Sequence, residues 1–435
     1  MNLKKISGVL IISILATYSL YAQTSDWSYH FQITVINQKH AGFKTAYSGS
    51  NSLADSVEPG ATSVTATVFL GRRLWKGASL YFNPELSGGK GLSYALGVAG
   101  ALNGETYRIG DPEPVVSVAR VIFRQVIPLG SKLVDQEDDL NQLAGKVPAR
   151  RIEINAGKFS MNDFFDQNSY SQDPRTQFLN WSLMSNGAWD YPANTKGYTM
   201  GIVVGMITPK WELRISSEAV PKIANHPNME YKFGKAHSET IEVARNFISS
   251  KLSLLVSYTA NRAPSYKDAM TFDTTLLNVI EGNATGQKFG GHKAGICLNY
   301  EQRITDDLGG FARAGWNDGK YATWAFTEID QTLQAGLSLK GNKWKRPGDV
   351  LGLAGVVNGI STAHRNFLKA GGHGFILGDG GLNYGHEAII ECYYSALLFK
   401  SLWLSGDYQF VHNPGYNKDR KGPVHVFAVR AHVAF

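Results

Sequence analysis

The C-terminal stretch 424–435 reads VHVFAVRAHVAF. From Phe427 to the terminal Phe435 every second side chain is apolar, whereas Arg430 and His432 occupy intervening positions. Successive side chains of a β-strand point to opposite faces of the sheet. The stretch therefore predicts a strand with one apolar face, one polar face and an aromatic residue at its end.

The same period-two alternation recurs along the chain and is its main secondary-structure signal. In the first run, Trp27 and Tyr29 begin an apolar face, and Ser28 and His30 begin the polar face opposite. Further runs begin near residues 62, 78, 115, 151, 198, 211, 239, 252, 268, 292, 309, 332, 350, 387 and 402. With the C-terminal strand these are about seventeen candidates, which predicts about sixteen or eighteen true strands.

The composition excludes several classes of protein. The chain has 435 residues, of which 43% are hydrophobic, 18% charged and 11% aromatic. Collagen, coiled coils and disordered chains do not fit, because no short repeat appears and the apolar fraction is too high. After residue 22 no apolar run approaches the roughly 18 residues that a spanning helix needs. A multi-span helical membrane protein is therefore also excluded.

Two all-β architectures fit the alternation, a soluble β-sandwich and a membrane barrel, because antiparallel sheets in solution also alternate. The apolar faces of this chain carry aromatic residues at segment ends, which suits the interfacial girdles of a barrel. The opposite faces are rich in charge, which suits a wet lumen, and no linker rich in Pro or Ser divides the chain. The sequence therefore predicts an all-β fold, a transmembrane antiparallel β-barrel of about sixteen strands.

The N-terminus predicts export. Lys4 and Lys5 form a basic region, residues 8–17 form a short apolar core, and Ala22 is a plausible last residue before cleavage. This is the organisation of a secretory signal peptide. We therefore expect a signal peptide at 1–22 and one barrel domain at 23–435.

The signal peptide and the C-terminal strand together indicate the outer membrane of a Gram-negative bacterium. A terminal Phe that follows alternating apolar residues is the pattern of barrels handed to the assembly machinery, so Phe435 is expected to contact that machinery. The last strand must pair with the first, because lipid tolerates no open sheet edge. Outer-membrane lipid is the expected partner of the apolar exterior.

Three stretches interrupt the alternation. Residues 160–197 form a connection rich in Asp, Asn, Tyr and Trp, too aromatic for disorder, and such a loop can fold inward and constrict the pore. Residues 84–114 include a helix-compatible segment, 93–101. Residues 364–385 begin with a short helical signal and continue into glycines.

Several blocks of the sequence resemble the carbohydrate-selective porins of Gram-negative outer membranes. The most specific block is 157–166, GKFSMNDFFD, which is followed by DPR at 173–175 and GAWDY at 187–191. An earlier block, 82–85, reads FNPE. The likeness is loose over the whole mature chain and close over residues 80–205.

The resemblance implies a barrel of about sixteen strands that passes mono- and small oligosaccharides by diffusion. Two segments depart from the family pattern. The acidic run 135–139 has the form of an ordinary turn insert, and the weak pattern at 220–240 blurs the strand count there. Monomer and homotrimer both remain open.

Arg120 and Arg124 are candidate pore-lining residues. They are four positions apart on one predicted strand, so they share a face and lie about 13 Å apart. With Val115, Ala119 and Phe123 among the apolar residues opposite, that face is expected to be the lumen. The two arginines are expected either to form a basic ladder along the pore or to hold water and pair with the constriction loop, and these roles are compatible.

Most other candidates for sugar binding lie in the loop block that carries the resemblance. They are Asp163, Asp166, Asp173, Arg175, Trp181, Trp189 and Tyr191, with Glu85 and Glu105 as weaker candidates from the other matched blocks. Carboxylates and guanidinium groups hydrogen-bond sugar hydroxyls, and flat aromatic rings suit the apolar faces of pyranoses. The alternative role for each residue is to pack or brace the loop.

Enzymatic motifs are incomplete. His386 and Glu387 begin a zinc-protease pattern, but Ile390 stands where the second ligand is required. Ser87 and Lys90 match the spacing of an acyl-serine motif whose partner motifs are missing. We therefore predict no catalytic residue, metal or cofactor; a barrel lipase is the enzymatic alternative.

Neither nucleic acid nor a disulfide is expected. The net charge of +7 comes without a clustered basic stripe. Cys297 shares the polar face of its segment and Cys392 the apolar face of its own. On one barrel their thiols would point to opposite sides, which the tight geometry of a disulfide does not allow.

The sequence thus predicts a passive outer-membrane channel for small sugars, without indicating which sugar. A general diffusion porin without sugar preference is the leading alternative. A barrel that serves adhesion or structure is a third class, and it predicts a plugged lumen.

Overall fold

The computed structural model describes residues 26–106, 112–271 and 288–435. Sixteen strands form one closed antiparallel barrel in which neighbours in sequence are neighbours in space. The first and last barrel strands pair from Gln32 and Ala434 to His40 and Val426, so no edge is open. This confirms the predicted transmembrane barrel and its strand number. The expected signal peptide lies outside the described residues.

The strands are β1 (Trp27–His40), β2 (Ala61–Trp75), β3 (Ala78–Gly89), β4 (Val115–Pro128), β5 (Leu133–Gln136), β6 (Gly145–Pro148), β7 (Arg151–Phe159), β8 (Thr199–Ile207), β9 (Trp211–Glu218), β10 (Val220–Pro221), β11 (Met229–Glu230), β12 (His237–Asn246), β13 (Ser250–Asn261), β14 (Gly291–Arg303), β15 (Leu308–Asn317), β16 (Gln331–Lys340), β17 (Val350–Gly359), β18 (Glu387–Phe399), β19 (Leu402–His412) and β20 (Val424–Ala434). The pairs β5–β6 and β10–β11 lie outside the barrel sheet. The α-helices are α1 (Trp181–Met184), α2 (Tyr266–Thr271) and α3 (Thr362–Lys369). No helix of the described residues is long and apolar enough to cross a membrane.

The alternation sorts side chains between lipid and lumen. Outward residues such as Tyr29 and Leu333 are exposed to 60% and 65%, whereas the inward Glu391 and Gln409 are fully buried. This is the inverse of a soluble protein, in which large apolar side chains are usually inside. Outward aromatic residues lie near both rims of the barrel, as in interfacial girdles.

The two ends of the barrel differ in the length of their connections. At the end that holds both termini, adjacent strands are joined by short turns such as 76–77, 208–210 and 400–401. At the opposite end the connections are long, for example 160–198 and 360–386. In bacterial barrels the short turns face the periplasm and the long loops face outside. The connections of this chain have the same asymmetry, and the two ends are called the turn end and the loop end below.

The candidate strand that starts near residue 268 is wrong in its described part, because Tyr266–Thr271 forms α2, and its remainder lies outside the described residues. Ser265 caps this helix, since its Oγ accepts a hydrogen bond of 3.2 Å from the Asp268 N–H. The ring of Tyr266 stacks on His364 of α3 with a centroid distance of 4.4 Å. Short-range capping and packing of the helix thus outweigh the weak alternation, and the other candidates correspond to the sixteen barrel strands.

The helix-compatible segment 93–101 is also wrong. It holds part of a single 3-10 turn, Leu92–Ala95, in which Ser93 and Tyr94 have φ values of 48° and 57°. Such left-handed residues cannot continue a right-handed helix. The Glu58 carboxylate holds the turn by accepting hydrogen bonds from the N–H and Oγ of Ser93.

A β-bulge changes the face assignment on β4. The adjacent residues Asn83 and Pro84 of β3 pair with the residues that flank Ala119, which is left without a partner and buried. The extra residue reverses the phase, so Val115 does not share the face of Phe123. The expected outward positions of Val115 and Ala119 are therefore wrong.

Cys297 faces inward and Cys392 outward, and both are free thiols.

Candidate permeation path

Residues 160–198, which connect β7 to β8, fold inside the barrel and are called the inner loop here. Polar groups of the loop meet inward-facing side chains on both sides of the lumen, on β3 and on β12 to β20. These wall residues are Glu85, Glu242, Asn299, Arg313, Gln334, Asn358, Glu391, Gln409 and Arg430. The loop thus lies across the lumen, which agrees with the inward fold that the sequence predicted for 160–197.

The most buried ion pair of the inner loop joins Asp166 to Arg313 of β15. Arg313 Nε donates to Asp166 Oδ1 at 3.0 Å, and the two side chains are 2% and 0% exposed. Asp166 also accepts hydrogen bonds from the Asn299 Nδ2 at 2.8 Å and the Asn186 N–H at 2.7 Å. The remaining Arg313 nitrogens reach backbone oxygens, including that of Ser171. Asp166 therefore holds the loop to the wall and is enclosed by its partners.

Two carboxylates of β18 bind loop backbone in the same manner. Glu391 accepts hydrogen bonds from the N–H groups of Leu179 and Asn180 at 2.5 and 2.8 Å. Nearer the loop end, Glu387 accepts from the N–H groups of Ala99 and Gly100 at 3.0 and 2.7 Å. One strand thus orders both the inner loop and the connection between β3 and β4.

Arg175 forms a buried brace between the inner loop and the β3 side of the lumen. Its guanidinium lies 3.3 Å from Glu85 Oε2 and 3.2 Å from Glu105 Oε2. Burial opposes the charged form, but Glu105, Asp173 and Glu85 outweigh it and raise the pKa of Arg175. Tyr198 also donates to Glu85, at 3.0 Å. The sequence candidates Glu85, Glu105 and Arg175 therefore come together as one network.

Arg120 and Asp163 form the ion pair between wall and inner loop that keeps the most exposure. Arg120 Nε and Nη2 donate to the two Asp163 oxygens at 2.7 and 2.6 Å, and the side chains are 12% and 21% exposed. The Ser160 N–H also donates to Asp163, which fixes the carboxylate in a capping box. Arg120 Nη1 makes no hydrogen bond among the described residues and is itself buried.

Arg124 lies on the same face but has different partners. Its Nε donates to Asn155 Oδ1 at 2.8 Å, and its Nη1 donates to the backbone oxygen of Asn141 at 3.3 Å. The guanidinium also lies 5.0 Å from the ring centre of Tyr81. Arg124 is thus held by β7 and by the turn-end connection 129–150, whereas Arg120 is held by the inner loop.

The aromatic candidates of the inner loop lie in its packing core. Trp181, Trp189 and Tyr191 are exposed to 2%, 1% and 5% and belong to one buried apolar cluster. Trp189 contacts Tyr191 with ring centres 5.2 Å apart. Asp173 accepts a hydrogen bond from the Arg175 N–H at 2.9 Å within the loop. These positions favour the packing role over direct contact with a permeating sugar.

A cavity of about 370 Å³ opens at the loop end. Its lining includes Lys90, Tyr94, Thr195, Asn225 and Phe375. Tyr94 is 69% exposed, and the Lys90 ammonium lies 5.4 Å from its ring centre. A flat aromatic face beside hydrogen-bonding groups is a suitable first contact for a sugar.

The loop end also contains a charged network that sequence reasoning did not predict. His364 of α3 is fully buried, with Nδ1 3.2 Å from Asp330 and Nε2 3.8 Å from Glu328. Burial would lower the pKa of His364, but Asp330 and Glu328 outweigh it and raise the pKa. Burial would raise the pKa of Asp330, but His364 and Lys293 outweigh it and lower the pKa. The network ties the connections 318–330 and 360–386 together.

Arg313, Glu387 and Glu391 are the other functional residues that sequence reasoning missed. The available signal was their inward phase: each is a charged residue at a polar-face position of an alternating run. Within the described residues no group of three or more His, Cys, Asp or Glu is arranged to hold a metal ion.

Residues 65–435 match the family model of the carbohydrate-selective porins, the OprB family. No curated protein matches the chain. The high-pH structure of OprB from Pseudomonas putida is similar over 94% of both chains, with a TM-score of 0.69 and 15% identity. The low-pH structure of that protein gives a TM-score of 0.49 and 12% identity over 94% of this chain and 93% of that one. The DcaP channel of Acinetobacter baumannii gives 0.49 and 11% over 95% and 100%.

Proposed function

The chain belongs to the carbohydrate-selective porin family, and we propose that it passes mono- and small oligosaccharides along the lumen wall formed by β4, β7 and β9. As a member of that family it is an outer-membrane channel for carbohydrate diffusion. The family is one of channels, and no bond is made or broken in diffusion. Flux follows the concentration gradient, and selectivity comes from the width and lining of the path.

The observation that carries the proposed path is the distribution of exposure among the lumen charges. The side chains of Asp166 and Arg313 are almost fully buried, whereas Arg120 and Asp163 keep 12% and 21% exposure. The inner loop therefore fills the β12–β20 side of the lumen, and the wall at β4 stays accessible. Partly exposed charges continue this face on β7 and β9, where Arg151 pairs with Glu153 and Arg214 with Glu212.

We assign contact with the sugar to the pair formed by Arg120 and Asp163. The guanidinium supplies fixed donors and the carboxylate supplies acceptors, which together match the vicinal hydroxyls of a pyranose. Because the two groups are bonded to each other, they remain in place without a permeant. Weak and reversible binding of this kind suits a channel, since a permeant must also leave.

The other candidates from the sequence receive supporting roles in the proposal. Asp166, Asp173, Arg175, Trp181, Trp189 and Tyr191 hold the inner loop in its fold, and Glu85 and Glu105 anchor Arg175 to the wall. Tyr94 at the loop-end cavity is assigned the first contact with the sugar ring.

The proposal extends to the route by which the barrel reaches its membrane. Residues 1–22 are proposed to be a cleaved signal peptide. Phe435 exchanges two backbone hydrogen bonds with Phe31 in the seam of the barrel, at 2.8 and 3.0 Å, and is proposed to be read by the assembly machinery before the seam closes. Each barrel encloses its own path, so the mechanism is the same for a monomer and for a trimer.

Conductance in planar bilayers and swelling of liposomes test the proposed function. A sugar-selective channel should show a current that glucose-like sugars reduce, and liposomes should swell in small saccharides faster than in larger ones. An open current that no sugar affects would instead identify a general diffusion porin. Absence of any conductance would refute both and would favour a structural or adhesive barrel.

A further inference from the structure

The connection between β4 and β7, residues 129–150, differs from the other connections of the turn end. It contains the hairpin of β5 and β6, whose strands pair from Leu133 and Pro148 to Gln136 and Gly145. The sequence suggested an ordinary turn insert for its acidic run 135–139. The structure instead folds the tip of the hairpin back against the inner wall of the barrel, and the segment 129–150 is called the turn insert here.

Polar contacts hold the tip against inward-facing side chains. Asn83 of β3 donates from Nδ2 to Asn141 Oδ1 at 2.9 Å, and Arg124 of β4 donates to the Asn141 backbone oxygen at 3.3 Å. Arg73 of β2 donates to the backbone oxygen of Ala144 at 2.9 Å. The turn insert therefore contacts three neighbouring strands from inside the barrel.

An apolar side chain anchors the same tip. Leu143 is 4% exposed and belongs to the buried cluster that includes Tyr81 and Ile122. Tyr81 and Ile122 pair across β3 and β4 and face inward. A leucine buried among inward-facing residues of the wall requires that the tip enters the lumen.

The tip is also ordered internally. Asp139 and Gln142 exchange two backbone hydrogen bonds, at 3.2 and 2.9 Å, and Gln136 Nε2 donates to the Leu143 backbone oxygen at 2.9 Å. Asn141 has a φ of 55°, a left-handed conformation that Asn tolerates better than most residues. On the far side Asp138 lies 3.3 Å from His30 of β1. The insert thus covers the β1–β4 sector of the turn end.

We propose that the turn insert is a second selectivity constriction, in series with the one formed by the inner loop. Arg120 and Arg124 are about 13 Å apart along β4, and each is held by a different segment, Asp163 of the inner loop and Asn141 of the turn insert. A sugar that passes Arg120 must then leave through the part of the turn end that the insert does not cover, beside the partly exposed charges of β7 and β9. The inference rests on the proposed function and adds a size limit at the periplasmic exit.

The acidic run gives this exit a charge of its own. Asp135, Glu137, Asp138 and Asp139 place carboxylates at the turn end, opposite in sign to Arg120 and Arg124. The exit should therefore favour cations and neutral molecules more than the loop-side constriction does, where Arg120 is paired with Asp163. Neutral sugars pass both, which is the selectivity that such a series arrangement produces.

Replacement of 133–148 by two glycines in the full chain tests the second constriction. The Ala149 N–H already bonds to the Lys132 oxygen at 2.8 Å, so a short link closes the turn without displacing β4 or β7. We expect a higher single-channel conductance, a size limit in liposome swelling shifted to larger saccharides, and lower cation preference. An unchanged conductance and size limit would overturn the inference.

A milder variant decides the question even where the deletion fails to assemble. Asn141→Gly keeps the left-handed backbone and removes the side chain that bonds to Asn83, and Lys146→Ala, at an exposed hairpin position, is its matched control. We expect a higher conductance in Asn141→Gly and an unchanged conductance in Lys146→Ala. Equal conductance in both variants would count against the constriction. Because the unaltered protein is measured beside them, failure of its sugar transport refutes the proposed function, whereas intact transport with no effect of the insert refutes only this inference.

Discussion

Substitution of Asp166 by Asn should release the inner loop without disturbing the barrel. The change keeps the shape of the side chain and removes its charge. Arg313 would then remain buried at 0% side-chain exposure opposite a neutral amide. One amide nitrogen would also face a donor, because Asp166 accepts from Asn299 and from the Asn186 N–H at the same time.

The magnitude follows from the burial of the pair. Removal of one partner of a buried ion pair costs about 3–5 kcal/mol, because the other charge stays behind without compensation. Arg313 retains backbone acceptors at Leu183 and Ser171, so we expect the lower part of that range, about 3 kcal/mol. At about 1.4 kcal/mol per factor of ten, the open population of the inner loop should rise by a factor on the order of 100.

Hydrogen–deuterium exchange measures this population directly, since amide protection reports local opening free energies. In Asp166→Asn the peptides of 160–198 should exchange about 100-fold faster, while those of β1 and β20 keep their protection. Asp173→Asn is the matched control, because the Asp173 carboxylate accepts a hydrogen bond from the Arg175 N–H and acts on the Arg175 charge without a direct ion pair, so its loss should cost about 1 kcal/mol. Equal exchange in the two variants, or protection like that of the unaltered chain, would refute the role assigned to Asp166.

Three further predictions concern Arg120 and Tyr94 on the permeation path and His364 at the loop end. Arg120→Ala should weaken the block of current by sugars and lower the anion preference. Arg120→Lys should keep the positive charge but lose the paired guanidinium donors. Unchanged ion selectivity in Arg120→Ala would place this arginine away from the path. Tyr94→Ala should reduce the rate of sugar entry at nearly constant ion conductance, with the lipid-facing Tyr29→Ala as control, and equal sugar block in both would remove Tyr94 from the path. Because the pKa of His364 is raised in the folded state, its contribution to stability is complete below pH 6.5, about its unfolded pKa, and is lost as the pH rises through its folded pKa. Because the pKa of Asp330 is lowered, its contribution is complete above pH 3.9, about its unfolded pKa, and is lost as the pH falls through its folded pKa. Protease resistance of 360–386 should therefore be greatest between about pH 4 and 6.5, and His364→Gln should abolish the decline at higher pH; a decline that persists in this variant would exclude the histidine.

The fold could be predicted from the sequence because alternate residues of a barrel strand face lipid and the water of the lumen, and they are therefore alternately apolar and polar. The stretch 424–435 shows the pattern, and it pairs with β1 as expected. The prediction failed where a local interaction opposed the pattern. Ser265 capped a helix at a candidate strand, and the bulge at Ala119 reversed the phase of β4. A helix cap and a bulge each depend on one or two residues and produce no repeating pattern, so the alternation of apolar and polar residues does not show them.

The candidate site was less predictable, because its contacts join residues far apart in the chain. The loop block and its resemblance identified Asp163 and Asp166, yet both appeared equally suited to meet a sugar. Their difference lies in partners on other strands: Arg313 encloses Asp166, whereas Arg120 leaves Asp163 partly open. A single sequence shows that these residues are charged and inward-facing, but the pairing depends on the path of the inner loop across the lumen.

The same pairing explains why a lumen so rich in charge can carry neutral sugars. A charge that is bonded on all sides, like Arg313, contributes little to the field that a permeant meets, and its main effect is to fix the loop. A paired charge that stays partly exposed, like Arg120, presents donors and an acceptor together to a neutral sugar. In the proposed path the inner loop therefore determines selectivity in two ways, because it narrows the lumen and because its contacts decide which charges stay accessible. Variants of the buried pairs should therefore change the width and noise of the channel, whereas variants of Arg120 and Asp163 should change which solutes it passes.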